Sequence, residues 1–233
     1  MFLNIPFETF IPNSIIFKFI LKIFKKWGVQ ILITVITVIL LIVFLITGTT
    51  ITNGQEIGFT ALPPELKSYM ETGFINTQIP QKSPLGGIGM EYTTVTALYH
   101  DPDYFKEFGF EHNGIDLIPN ENYYRNSKAY KLLGDIVIIA TLSGKACSSG
   151  NIESGFRTEI YSVDNLYYTT YLHDKFNFIP LNTCKSITAG EPIGIMGSTG
   201  FATGAHIHYM VHIKNEAGEW KDINPIKFLA LNN

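Results

Sequence analysis

Six histidines, His100, His112, His173, His206, His208 and His212, are the residues of this chain most able to do chemistry. In His112-Asn-Gly-Ile-Asp116 an imidazole and a carboxylate stand four residues apart, and Gly114 between them discourages a helix. On an extended segment the even spacing places both side chains on one face. In His206-Ile-His208 two imidazoles alternate with an apolar residue, so a strand would project both to the same side, roughly 6–7 Å apart at their Cα atoms. Imidazole nitrogen and carboxylate oxygen are ligands of Zn²⁺, which binds four groups tetrahedrally and in catalytic sites leaves the fourth position to water. Either motif alone is common by chance. Both together, each beside a glycine-rich loop, point to a metal. The loop Gly197-Ser-Thr-Gly200-Phe-Ala-Thr-Gly204 is a weak nucleotide signal, because no Lys follows it and neither GxGxxG nor its βαβ setting is present. The chain contains no HExxH, so a helical glutamate base is not the scheme and histidines must move the protons.

The elements that must position these residues read as β structure. Over His206–Ile213 the residues Ile207, Tyr209, Val211 and Ile213 alternate with His206, His208, Met210 and His212, which predicts a strand with the first set facing a core. Leu166–His173, Asp135–Ala140 and Ile160–Val163 are further strand candidates, and the strongly apolar 136–139 run predicts a strand covered on both faces. From Gly86 onward short apolar runs are separated by glycines, so one β-rich domain of 148 residues, Gly86 to Asn233, is the simplest account. Residues 49–85, with Pro63, Pro64, Pro80 and Pro84, read as a stalk holding one short helix over Pro64–Met70. Asn120–Lys131, rich in Tyr and Asn, reads either as a recognition loop lining a groove or as an ordinary solvent loop.

The chain has 233 residues, 46% of them hydrophobic and 16% charged. The low charge is local: no charged residue occurs from Trp27 through Gln55, and Val29 to Thr47 is almost wholly apolar. About 20 apolar residues suffice to cross a bilayer as a helix. Lys18, Lys22, Lys25 and Lys26 precede the span, which by the positive-inside rule makes residues 1–27 a cytoplasmic basic leader, 28–48 a transmembrane anchor, and the rest extracytoplasmic. The apolar run exceeds that of a cleaved signal peptide and no A-x-A-like site follows it, so an uncleaved single-pass anchor is expected. Four of the 17 basic and one of the 20 acidic residues belong to the leader, leaving 13 against 19 and a net charge of −6 outside. That balance excludes nucleic acid as a partner and directs attention to small molecules, proteins or wall polymer. The 17 Phe and 12 Tyr supply ample material for burial and argue against disorder.

The segments HNGIDL, YLH and GEPIGIMGSTGFATGAHIHYMV resemble, in order and spacing, those of the lysostaphin-like (LytM-type) zinc metallopeptidases, over roughly Gly86–Leu229. The resemblance implies a mainly β fold, the antiparallel β-sheet groove of the duplicated hybrid motif, here behind an N-terminal transmembrane helix. It implies one Zn²⁺ held by His112, Asp116 and His208, with His173 and His206 as catalytic histidines and Tyr171 as a packing residue. His100 and His212 have no counterpart and read as a loop residue and an ordinary face residue. Family members hydrolyse peptide bonds of bacterial peptidoglycan, so the implied function is a membrane-anchored zinc endopeptidase acting on wall peptide, for wall remodelling or for local opening of the wall around a secretion or conjugation apparatus. The alternative is a non-catalytic scaffold module that docks wall or envelope-complex proteins. The chain departs from the family at Met210, where Glu is usual, and at Gly155-Phe-Arg-Thr-Glu-Ile-Tyr161, which replaces a Gly-Asn-rich stretch. Both changes bear on substrate preference rather than on the metal. Cys147 and Cys184, too few for a disulfide scaffold or a four-thiolate zinc site, are either paired or two buried thiols.

Overall fold

The computed structural model describes residues 58–229; the expected leader (1–27), the expected anchor (28–48) and residues 49–57 lie outside the described residues. Among the described residues no helix is long and apolar enough to cross a membrane. In chain order the elements are β1 Thr93–Ala97, α1 Pro102–Phe108, β2 Ile115–Pro119, α2 Glu121–Asn126, α3 Lys128–Leu133, β3 Val137–Ile139, β4 Gly144–Asn151 and β5 Gly155–Ser162. They continue with β6 Tyr167–Asp174, β7 Phe176–Asn177, β8 Cys184–Ile187, β9 Pro192–Ile195, β10 Ile207–Lys214, β11 Trp220–Ile223 and α4 Ile226–Leu229.

The main sheet is antiparallel and eight-stranded, in the order β1-β2-β10-β6-β5-β4-β8, with β11 also paired to β10. A second sheet of three strands runs β3-β9-β7. The long strand β10 is the axis of the site. On one side it pairs along its length with β6; on the other it pairs first with β2 and then with β11. Its apolar alternation explains the placement: Ile207, Tyr209 and Val211 are all fully buried in the core, and the intervening residues face the other way. Beneath the site, the buried hydroxyls of Tyr171 on β6 and Tyr209 on β10 both meet the Thr141 hydroxyl, at 2.7 and 2.8 Å. The Thr141 amide also donates to the Tyr171 oxygen at 2.9 Å. A buried hydroxyl without a partner is costly, so this closed network fixes the pair of strands that carries three of the six histidines.

The apolar run over 136–139 is covered on both faces as its composition predicts. Ile138 packs into the main core, whereas Val137 and Ile139 join a second cluster with Leu66, Phe178 and Ile195. The segment read as a stalk behaves differently over its described part. Leu66 and Leu85 are buried, Gln81 donates its backbone N–H to Thr141 O, and Thr60 donates to Asn177 O. The Lys82 ammonium, itself buried, bonds Thr72 O at 2.5 Å and lies 3.7 Å from Glu71. The prolines of this stretch therefore direct a chain laid across the domain rather than a free spacer. The expected helix shortens to a single 3-10 turn, Pro64–Leu66. Cys147 and Cys184 are joined by a disulfide, and they are direct register partners tying the edge strand β8 to β4.

Candidate metal centre

The two halves of the site arrive by different routes. Asp116 lies on β2 and His208 on β10, and the two are register partners across the ladder, so their side chains rise from one face. His112 precedes β2 in irregular chain; it is held because its backbone carbonyl accepts from His100 N at 2.9 Å. The expectation that His112 and Asp116 share one extended segment is therefore met in outcome by a loop rather than a strand. Gly114 lies where a Cβ would stand 2.7 Å from Tyr209 O and 2.8 Å from His208 Nε2. The residue between the two motif members must be small because the chain passes directly against the imidazole of His208.

Three ligand atoms converge. His112 Nε2 is 3.1 Å from Asp116 Oδ1 and 3.0 Å from His208 Nδ1, and His208 Nδ1 is 2.9 Å from Asp116 Oδ1. Tetrahedral zinc with bonds of about 2.0–2.1 Å places its ligand atoms about 3.3 Å apart. The donor types and the nearly equilateral triangle thus fit a zinc ion. His206 Nε2 lies 3.6 Å from the same carboxylate oxygen, and the His173 and His206 rings are 4.8 Å apart between centroids. All five predicted residues are brought together; His100 and His212 are elsewhere, His100 stacked on Tyr99 and His212 on Tyr168.

Main-chain carbonyls set the imidazole tautomers. His112 Nδ1 donates to Leu98 O at 2.7 Å, His173 Nδ1 to Thr199 O at 2.7 Å, and His206 Nδ1 to Gly204 O at 2.9 Å. A carbonyl only accepts, so each of these rings carries a proton on Nδ1. Burial would raise the Asp116 carboxyl, yet hydrogen bonds to His112 and His208 and the neighbouring imidazoles hold it well below the usual carboxylate range. Burial lowers His173 to about 4, with the Thr199 carbonyl opposing and His206 and His208 reinforcing the shift. Burial also lowers His208, while the bond to Asp116 and that to Leu98 overcome burial and raise His112.

The centre opens into a groove of roughly 980 Å³. One wall is α1, capped by the Asp101 side chain and by Gly109 in a left-handed turn, and the other is the Gly200–Ala205 loop. Tyr104 of α1 stacks on the His112 ring at 4.3 Å, and Phe110 and Phe201 stand exposed at the rims. Tyr104, α1 and the three carbonyls escaped the sequence reading. Tyr104 sits in a segment without helical periodicity, and a main-chain acceptor has no signature in residue type. Asn120–Lys131 does not line the groove: it folds into α2 and α3, with Tyr123 fully buried and accepting from Val137 N at 3.0 Å. Nothing from Thr77–Gly87 lines it either.

Among solved structures, the chain is similar to lysostaphin from Staphylococcus simulans, at 19% identity and a TM-score of 0.45, over 63% of this chain and 52% of that one. It is similar to a zinc-containing peptidase from Vibrio cholerae, at 19% identity and 0.43, over 65% of this chain and 39% of the other. A third similarity is to the SpoIIIAH and SpoIIQ complex, at 19% identity and 0.43, over 63% of this chain and 97% of that one. The chain thus spans about half the length of lysostaphin and less of the Vibrio cholerae peptidase. Residues 111–224 match the model of peptidase family M23, and that stretch contains all three residues of the ligand triangle and both histidines beside it. Residues 111–224 are therefore the stretch of this chain that is similar to peptidase family M23.

Proposed function

We propose that this protein is a membrane-anchored zinc endopeptidase that hydrolyses peptide bonds of peptidoglycan outside the cytoplasmic membrane. The observation that carries the reading is the convergence of His112 Nε2, Asp116 Oδ1 and His208 Nδ1 beside two further imidazoles, His173 and His206, whose Nδ1 atoms are each held by a main-chain carbonyl. His112, Asp116 and His208 would hold a Zn²⁺ ion, which would supply Lewis acidity at the scissile bond. His173 and His206 take the proton of the attacking water and return it to the leaving amine nitrogen, so that one water is added across the C–N bond. The Tyr104 wall and the Gly200–Ala205 loop orient the peptide between them. An uncharged span over residues 28–48 behind four lysines supports the anchored topology, and the Cys147–Cys184 disulfide suits an oxidising compartment.

The test is zinc content and hydrolysis of purified wall peptide by the detergent-solubilised full chain, alongside His208→Ala. One Zn²⁺ per chain with amide cleavage, both lost in the variant, is the expected result, and product masses name the bond. Zinc retained without cleavage of any wall peptide would replace the enzyme by a docking module. Absence of stoichiometric zinc would remove the metal reading altogether.

A further inference from the structure

His173 adopts φ 69°, the left-handed region that side-chain-bearing residues avoid, at the position where its ring enters the site. Something must hold it there. The residue around it is Thr199, in the loop between β9 and β10. Its carbonyl accepts from His173 Nδ1 at 2.7 Å, and its N–H donates to His173 O at 3.4 Å. Its hydroxyl donates to Asp174 O at 2.8 Å and accepts from Phe156 N at 3.0 Å. All three polar groups of one residue therefore close on the end of β6 and the start of β5. Phe156 and Asp174 are register partners there, at a bulge where the ladder cannot supply those bonds itself. The fit is keyed to the main chain: a Cβ on Gly155 would run into Thr199 Oγ, and one on Gly200 into Gly155 N.

We infer that Thr199 is the positioning residue of His173, its hydroxyl clamping the β5–β6 bulge so that its own carbonyl meets His173 Nδ1 and leaves Nε2 toward the groove. The inference rests on the reading of His173 as a working imidazole of the site. Only a hydroxyl at this Cβ both donates to Asp174 O and accepts from Phe156 N; valine has the shape of threonine and neither capacity.

The experiment compares the zinc-loaded full chain with Thr199→Val, Thr199→Ser and Thr199→Ala, each labelled with ¹⁵N-histidine. The expected wild-type signature is His173 with its proton on Nδ1. In T199V that signature gives way to mixed tautomers, kcat on wall peptide falls at least about tenfold, KM stays within about twofold and zinc content is unchanged, because the clamp touches no ligand. T199S restores both tautomer and kcat. T199A, which leaves space instead of a methyl, carries the same expectation as T199V should that variant fail to fold. An unchanged His173 tautomer in T199V or T199A, or a T199S as impaired as T199A, overturns the inference. The tautomer is read without turnover, so a chain that cleaves no peptide sinks the peptidase proposal while leaving Thr199 decided by the spectrum.

Discussion

Asp116 Oδ1 and His208 Nδ1 face each other at 2.9 Å because their residues are register partners on β2 and β10. The ladder hydrogen bonds thus fix the separation of two ligand atoms, and neither side chain has to search for the other. The third ligand, His112, depends on a loop, and Gly114 lets that loop pass across the face of the His208 ring.

Gly114→Ala is expected to cost about 1–3 kcal/mol, the usual range for forcing a methyl into a filled space. It should also move His208 away from Asp116. Thermal unfolding with and without added zinc checks this: the stabilisation conferred by zinc should shrink in the variant, whereas a pure packing defect would lower both curves equally.

His212 lies flat against Tyr168, with centroids 3.9 Å apart, and burial lowers it to about 4, the Asp222 carboxylate compensating only in part. A histidine depressed in the folded state stabilises the fold above its unfolded value near 6.5, and that contribution is lost as pH falls toward 4. His212→Gln should therefore flatten the decline in unfolding free energy between pH 6.5 and 4 by up to about 3 kcal/mol. Parallel denaturant titrations at several pH values check the slope; identical slopes in the two proteins would count against a buried neutral His212.

Reduction of Cys147–Cys184, or the double serine variant, should destabilise the domain by roughly 3–4 kcal/mol on the chain-entropy account of a closed loop. Strands β5 and β6 separate the two strands joined by the disulfide from β10, so zinc content should not change. Calorimetry and metal analysis on the same samples would check both halves.

Much of this was legible in residue order. The alternation in Ile207–Ile213 names its buried face, and the apolar 136–139 run announces a strand between two clusters, because burial on one or both faces imposes a period that the sequence must carry. The five site residues were legible as types at spacings. What joins them was not. Pairing of Asp116 with His208 spans 92 positions of chain, and such register is decided by the whole sheet. The prolines before residue 86 read as a spacer, since nothing local reveals that Leu66 and Gln81 find partners on a domain not yet reached by the chain.

The acceptors that orient His112, His173 and His206 are the main-chain oxygens of Leu98, Thr199 and Gly204, and every amino acid carries such an oxygen. Side chains at positions 98 and 204 can accordingly change without removing the acceptor. Insertion or deletion of a single residue between 98 and 112, or between 204 and 206, is another matter, since it would slide a different oxygen, or none, beneath the ring. For these two loops the inherited quantity is a count of residues, and the constraint would be seen as fixed length with free composition.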